Sequence, residues 1–377
     1  MNTKDVQQGT FKKMMNENIT AEQEPTLVKE QITKELSILD KVRALSINDK
    51  VEEMRKEAKE TTFVAGRMAV AGQINVFYAG PNTGKTLLTL KLISEAIATG
   101  SAGDHVYHIN LDDTFDGLIQ KAELGKRHGF HEIPGANFPN PSESFAEMVE
   151  MLIAENLAHQ AVFILDTTKK FTDVMDKKAS TRFMSTCRRL TEARGTIIAL
   201  AHVNKNKNHE NKSIPAGTSD VLDDCDCGYV IDLLSEEKVL GGVKRTVEFR
   251  HLKGRGPTVQ SAVYSYVQYA DGDYERMFYS VKLVDGDEAD RAREQKALQV
   301  ERLRDAALIA EIQKLLTASG GAIQKDIVTQ LVANDAYSHR TVRSCLQRWS
   351  CPAEEGGIWT VTKGENNSSI YKLIPPN

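Results

Sequence analysis

The sequence is poor in several features, and each scarcity excludes a class of protein. It holds only 5 cysteines in 377 residues. That is too few for a disulfide framework, so a reducing cytoplasm is the expected setting. No apolar run approaches the roughly 18 residues a membrane span needs; the most apolar pieces, AVFILD and TIIALAHV, have the length of buried strands. The opening stretch MNTKDVQQGTFKKMMNEN lacks the apolar segment of a secretory signal. Neither sign of charge dominates, since 48 Lys and Arg face 52 Asp and Glu for a net charge of -4. This excludes coating of nucleic acid by bulk positive charge and leaves room for a local basic patch. What is present suffices for a core: 41% hydrophobic and 27% charged residues argue against wholesale disorder. At about 150 residues per domain, the length suggests two or three domains.

The patterning divides the chain into four parts. Residues 1–61 read as a polar arm followed by a helical extension, because Ile32, Leu36, Leu39, Val42, Val51 and Met54 recur at three- and four-residue steps. Ser46 to Asp49 offers a cap for a second helix, whose stripe must bury against its own domain or a neighbouring subunit. Over residues 62–285, short apolar runs (INVFYA, HVYHINL, AVFILD, TIIALAHV, YVIDLL) alternate with helical stretches. That grammar predicts an α/β domain with a mostly parallel sheet. TVEFRHL and TVQSAVYSYVQYADGDYERMFYSVKLV read instead as antiparallel strands, turning at Gly254–Pro257 and Asp271–Asp273, with a further turn at Gly241–Gly242. Residues 286–302 form a charged linker helix. In 303–377 helical patterns are followed by GIWTVTKG and SSIYKLI around the turn residues Gly364 to Asn367. Helices followed by a hairpin give the layout of a winged helix-turn-helix.

The sharpest motif is Gly80-Pro81-Asn82-Thr83-Gly84-Lys85-Thr86, which fits G-x-x-x-x-G-K-[ST] between an apolar strand and a helix. Its glycines let backbone N–H groups curl toward a phosphate at the positive end of the following helix. Lys85 is expected on the β- and γ-phosphates of ATP, and the Thr86 hydroxyl on Mg2+. Such chemistry needs a carboxylate at the end of another core strand to position the metal, and Asp166 closes AVFILD. A further group must orient the attacking water. Asp112 and Asp113 follow HVYHINL; either fits, with Asp112 preferred because it comes first, and the bland alternative is a helix cap. Cys225-Asp226-Cys227 has no partnering pair for a zinc site, so structural cysteines are expected.

The order of these strands, with Asp166 and then Ala201-His202-Val203-Asn204-Lys205, resembles the RecA-type ATPase core over roughly residues 62–285. More narrowly it resembles the replicative hexameric helicases of bacteria, phages and plasmids, in the plasmid RepA and DnaB branches. Those proteins usually carry glutamate where this chain has Asp112 or Asp113, one methylene shorter. The resemblance implies that His202 senses the γ-phosphate. It also implies that Lys253 and Arg255, in Lys253-Gly254-Arg255, reach the nucleotide of a neighbouring subunit.

Two basic loops follow core strands. One carries Lys169, Lys170, Lys177 and Lys178; the other carries Lys205, Lys207 and Lys212. In the resembled helicases these positions hold single-stranded DNA, and the lack of accompanying aromatics suggests grip on its backbone. In SHRTVRSCLQRW, His339, Arg340, Arg343 and Arg348 form a basic helix capped by Ser338, with Lys363 and Lys372 in the wing. Duplex DNA or a protein partner suits that surface. The expected activity is an ATP-hydrolysing DNA helicase or translocase for a plasmid, phage or mobile element, acting as a homo-hexamer or other ring or filament. The competing expectation is an ATP-switched DNA-binding or partner-loading protein that unwinds nothing.

Overall fold

The computed structural model describes residues 38–57, 60–206, 208, 212–217, 220–333 and 335–375. The N-terminal arm, Ile32, Leu36 and Lys207 lie outside the described residues. The chain divides into two units, Met1–Glu60 and Thr61–Asn377. In the first, Ser46 Oγ accepts the Asn48 N–H at 3.2 Å ahead of the helix Val51–Glu57, in which Val51 and Met54 are exposed.

The second unit is a mixed α/β structure. Its strands are β1 (Phe63–Ala65), β2 (Ala69–Val70), β3 (Ile74–Ala79), β4 (His105–Asn110), β5 (Phe130–Pro134), β6 (Ala161–Asp166), β7 (Thr196–His202), β8 (Cys227–Val239), β9 (Gly242–Gly254), β10 (Ser261–Tyr269) and β11 (Lys282–Leu283). β1 and β2 pair with each other, and the other nine form one sheet in the order β11-β10-β9-β8-β3-β7-β6-β4-β5. From β8 through β3 to β5 every pairing is parallel. The β8–β9–β10–β11 end is antiparallel.

Helices α1 (Lys85–Ala98), α2 (Phe115–His128), α3 (Pro141–Ala154), α4 (Lys177–Glu192), α5 (Asp220–Asp224) and α6 (Tyr274–Ser280) accompany the sheet. The parallel strands are apolar because both faces are covered. In β3, Ile74, Val76 and Tyr78 enter the core shared with α3 and α4, whereas Phe77 and Ala79 enter the one shared with α1. α4 contributes Phe183, Met184, Cys187 and Leu190 at helical spacing, and its N-cap Asp176 accepts the Lys178 and Ala179 N–H groups.

Two elements depart from the sequence reading. FHEIP forms β5, a short strand at the sheet edge whose residues are only partly covered beyond Phe130. YERMFYS, read above as strand, is α6: Asp273 caps it by accepting the Arg276 N–H at 2.9 Å, and Phe278 drops into the core.

A 34-residue helix, α7 (Gly286–Ser319), runs without a break from the sheet into the C-terminal elements. There α8 (Gln324–Val332) and α9 (His339–Arg348) adjoin a three-stranded sheet of β12 (Ala322–Ile323), β13 (Trp359–Lys363) and β14 (Ser369–Leu373). Their core gathers Leu308, Ile312, Leu316, Val342 and Leu346 around Trp349 and Trp359. Both indoles are satisfied, Trp359 Nε1 donating to the Leu346 carbonyl at 2.7 Å and Trp349 Nε1 to Asp305 at 3.1 Å. Such burial with the polar tip paired is what fixes one packing.

Candidate functional site

The parallel strands deliver their polar residues to one end of the sheet. β3 leads into residues 80–86, β4 into Leu111–Asp113, β6 ends at Asp166 and β7 ends at His202. A crevice at the carboxyl ends of parallel strands is where open α/β sheets bind ligands. Here it is a cleft of about 420 Å³.

One wall is the turn 80–86. Asn82 (φ 58°) and Gly84 (φ 80°) take left-handed backbone, and a Cβ on Gly84 would also lie 2.8 Å from the Tyr266 ring. Glycine is required there on both counts. No side chain caps the start of α1, so its first-turn N–H groups and their positive end face the cleft. From β9 and β10, the Arg245 guanidinium donates to the Asn82 carbonyl and Tyr266 Oη approaches the same oxygen at 3.4 Å.

The floor is a buried chain of alternating charges. Lys85 Nζ lies 2.8 Å from Asp166 Oδ1, and Thr86 Oγ1 donates to Asp166 Oδ2 at 2.5 Å. Asp166 Oδ2 in turn lies 3.6 Å from His108 Nε2, an ion-pair contact too long for a hydrogen bond. His108 Nδ1 is 2.6 Å from Glu132 Oε2, and Asn110 Nδ2 donates to Glu132 Oε1 at 2.8 Å. Asn110 also reaches Asp113 at 3.2 Å, and Asp113 is paired with the buried Lys121.

These contacts set the protonation states. Burial alone raises the Asp166 carboxyl, but Lys85 and His108 outweigh it and hold it well below the usual carboxylate range. Burial opposes charge on His108, yet the carboxylates on its two nitrogens push it up to about 9. Burial works against Asp113 ionising too, and Lys121 overrides it. His202 is shifted the other way, lowered by burial and then by Lys85 and Lys169.

A pH dependence follows. Because His108 titrates higher when folded, its stabilising contribution is complete below its unfolded value of roughly 6.5 and is lost as pH rises through about 9. The melting temperature of the protein is expected to fall between pH 7 and pH 10. A His108→Asn variant should lose most of that slope, and an equal slope in the variant would show that other groups cause it.

The residues singled out from sequence are distributed as follows. Gly80 to Thr86, Asp112, Asp113, Asp166 and His202 all line the cleft. Asp112 is the more open of the two aspartates, 43% exposed, and lies 3.9 Å from Lys169 and 3.8 Å from Lys170. Lys205 is exposed beyond β7 at the same end of the sheet. Lys253 and Arg255 are elsewhere. Lys253 Nζ donates to the Leu222 and Asp223 carbonyls, and Arg255 Nη1 donates to Asp226 Oδ1 at 2.9 Å. Asp226 also accepts the N–H of Ile74, the first residue of β3, whereas the turn 80–86 follows its last. Five strand steps of about 3.3 Å put these ends about 17 Å apart, so Arg255 does not serve the cleft of its own chain.

On α9, His339, Arg340 and Arg343 are exposed, as are Lys363 and Lys372. Arg348 departs from the expected outward face: it turns back onto α7, paired with Asp305 and 3.5 Å from Glu301.

Sequence reasoning missed His108, Glu132, Lys121, Arg245, Tyr266 and Tyr274. Lys121, Tyr266 and Tyr274 line the cleft, together with Asn110. The signal for His108 was a histidine between Tyr107 and Ile109, inside the strand. Glu132 had none, its strand having gone unrecognised. No protein-family model and no curated protein matches this sequence.

Proposed function

We propose that this protein binds and hydrolyses ATP at the cleft, with a P-loop at residues 80–86 in a RecA-like core. One observation carries the reading: Lys85 and Thr86, at the uncapped start of α1, both converge on Asp166, the last residue of a parallel strand two positions away in the sheet. The donor set fits a magnesium nucleotide. Thr86 Oγ1 and Asp166 Oδ2 are hard oxygens. A magnesium ion there would keep waters and phosphate oxygens as its other ligands. Buried polar atoms without partners, His202 Nε2 and Tyr274 Oη, belong to residues lining the same cleft. Bound there, Mg2+ would neutralise developing phosphate charge.

The roles of the side chains follow. Lys85 exchanges its carboxylate partner for phosphate oxygens. Asp112, the less committed acid, orients the attacking water, while Asp113 is held by Lys121. His202 faces the phosphate end uncharged, so it donates or accepts one hydrogen bond without adding charge. Arg255 supplies its guanidinium to the cleft of a neighbouring copy. Lys169, Lys170 and Lys205 offer positive charge to a nucleic-acid backbone at the cleft end of the sheet. α7–α9 with the β12–β14 sheet form a winged helix, whose Arg340 and Arg343 suit duplex DNA.

The experiment is ATP turnover with and without single-stranded DNA across a protein-concentration series. A motor predicts stimulation by DNA and a rise steeper than linear as subunits assemble. Flat specific activity, unmoved by DNA, would reject it. A second reading is favoured by the ties on both aspartates, Asp113 to Lys121 and Asp112 near Lys169 and Lys170. In that reading the protein is an ATP-controlled DNA-binding switch with slow turnover. It predicts binding to duplex and no strand displacement from a forked substrate.

A further inference from the structure

The sharpest unexplained group in the cleft is the hydroxyl of Tyr274. It is buried and meets no hydrogen-bond partner, although the residue lines the cleft. Its helix, α6, packs on α1 and α2, and Tyr274 lines the same cleft as Lys85 and Thr86. Lys121 Nζ sits 4.5 Å from the ring centroid. The nearby carboxylates are engaged elsewhere: Asp166 with Lys85 and Thr86, Asp113 with Lys121, and Glu132 with His108 and Asn110. Burial, then the negative charge of Asp166, Asp113 and Glu132, keeps the phenol protonated far above its ordinary range. It is therefore a donor without an acceptor, a state that destabilises a protein when nothing offsets it.

We propose that Tyr274 is a nucleotide-binding residue whose O–H donates to a phosphate oxygen of the bound triphosphate. The inference rests on reading the cleft as an ATP site. The cleft around it is lined by Lys85, Asp166 and Lys121, the last 4.5 Å from the ring centroid. Phosphate oxygens are acceptors only, and a neutral phenol supplies a hydrogen bond there without being captured by the carboxylates as a lysine would be. The competing view makes Tyr274 a filler, its ring packed beneath Lys121 and its hydroxyl incidental.

Tyr274→Phe separates the two, because it keeps the ring and removes only the oxygen. Magnesium-ATP and a non-hydrolysable ATP analogue are titrated by calorimetry into wild type and variant, alongside AMP. Melting of the unliganded proteins checks folding. Affinity for both triphosphates is expected to fall about tenfold, the loss of one hydrogen bond to a charged group. AMP affinity should not move, and the unliganded variant should melt no lower than wild type because an unsatisfied polar atom has gone. Equal triphosphate affinity in a wild type and a variant that both bind would overturn the inference alone. A wild type that binds no nucleotide would overturn the ATP reading and this inference with it.

Discussion

Replacing Lys85 with Ala is expected to abolish ATP turnover and to weaken magnesium-ATP binding by roughly 10- to 100-fold. In the ATP reading, the charge lost is one that meets phosphate oxygens, and such a charge-assisted contact contributes on the order of 1.5–3 kcal/mol to binding and more to the transition state. The same substitution perturbs the unliganded fold. Lys85 and Asp166 form a buried pair, 10% and 8% exposed, and removing one partner of such a pair commonly costs about 3–5 kcal/mol. The cost here should fall below that range, since Asp166 keeps the Thr86 hydroxyl and the His108 contact. Calorimetric titration and a denaturant melt therefore give a joint expectation: a folded protein, lower in stability by about 1–3 kcal/mol, that binds ATP poorly and turns none over. Retention of wild-type affinity would remove Lys85 from the nucleotide site. The ATP reading would then stand without its principal residue.

How much of this was legible beforehand depended on whether the signal was local. The turn 80–86 announces itself because two glycines, a lysine and a threonine stand together in one short segment between a strand and a helix. Asp166 is legible only beside that turn, because a carboxylate ending an apolar run could as well cap a helix. The β13–β14 hairpin and the antiparallel β9–β10 pair were readable from turn residues. What stayed hidden depended on contacts between distant segments. Glu132 sits on a five-residue edge strand with a weak apolar pattern, and only the pairing of β5 with β4 brings it to His108. Tyr274 was lost to a wrong period: YERMFYS is rich in the aromatics that favour strands, and the cap from Asp273 together with the burial of Phe278 decided for helix. Arg348 has the same sequence appearance as Arg343, yet Asp305, far along the chain, draws it inward. The pairing of Asp113 with Lys121, eight residues downstream, was likewise not legible in the sequence.

Arg255→Ala is expected to lower turnover on the order of 1,000-fold, the effect of losing an arginine that stabilises transferring phosphate charge, while nucleotide binding stays at the wild-type level. The geometry behind this is the clamp that holds the residue. Its backbone N–H donates to the Asp226 carbonyl at 2.9 Å, its carbonyl accepts Gln73 Nε2 at 3.1 Å, and its guanidinium meets the buried Asp226 carboxylate. Arg188 grips the other side of that carboxylate at 2.9 Å. Two arginines thus share one buried anion, and Arg255 remains 61% exposed with donors to spare. It is aimed outward, at the end of β3 opposite its own cleft. A group so placed acts on another copy or does not act on ATP at all. Mixing Arg255→Ala subunits with Lys85→Ala subunits decides between these. Each variant alone is inactive, but a randomly mixed ring joins an intact cleft to an intact arginine at about a quarter of its interfaces, so roughly that share of activity should return. Asp226→Asn, which loosens the clamp and leaves the cleft alone, should behave in the mixture as Arg255→Ala does. If the mixture stays as inactive as its components while both variants assemble, the arginine does not work across a subunit boundary, and its exposure above Asp226 has another cause.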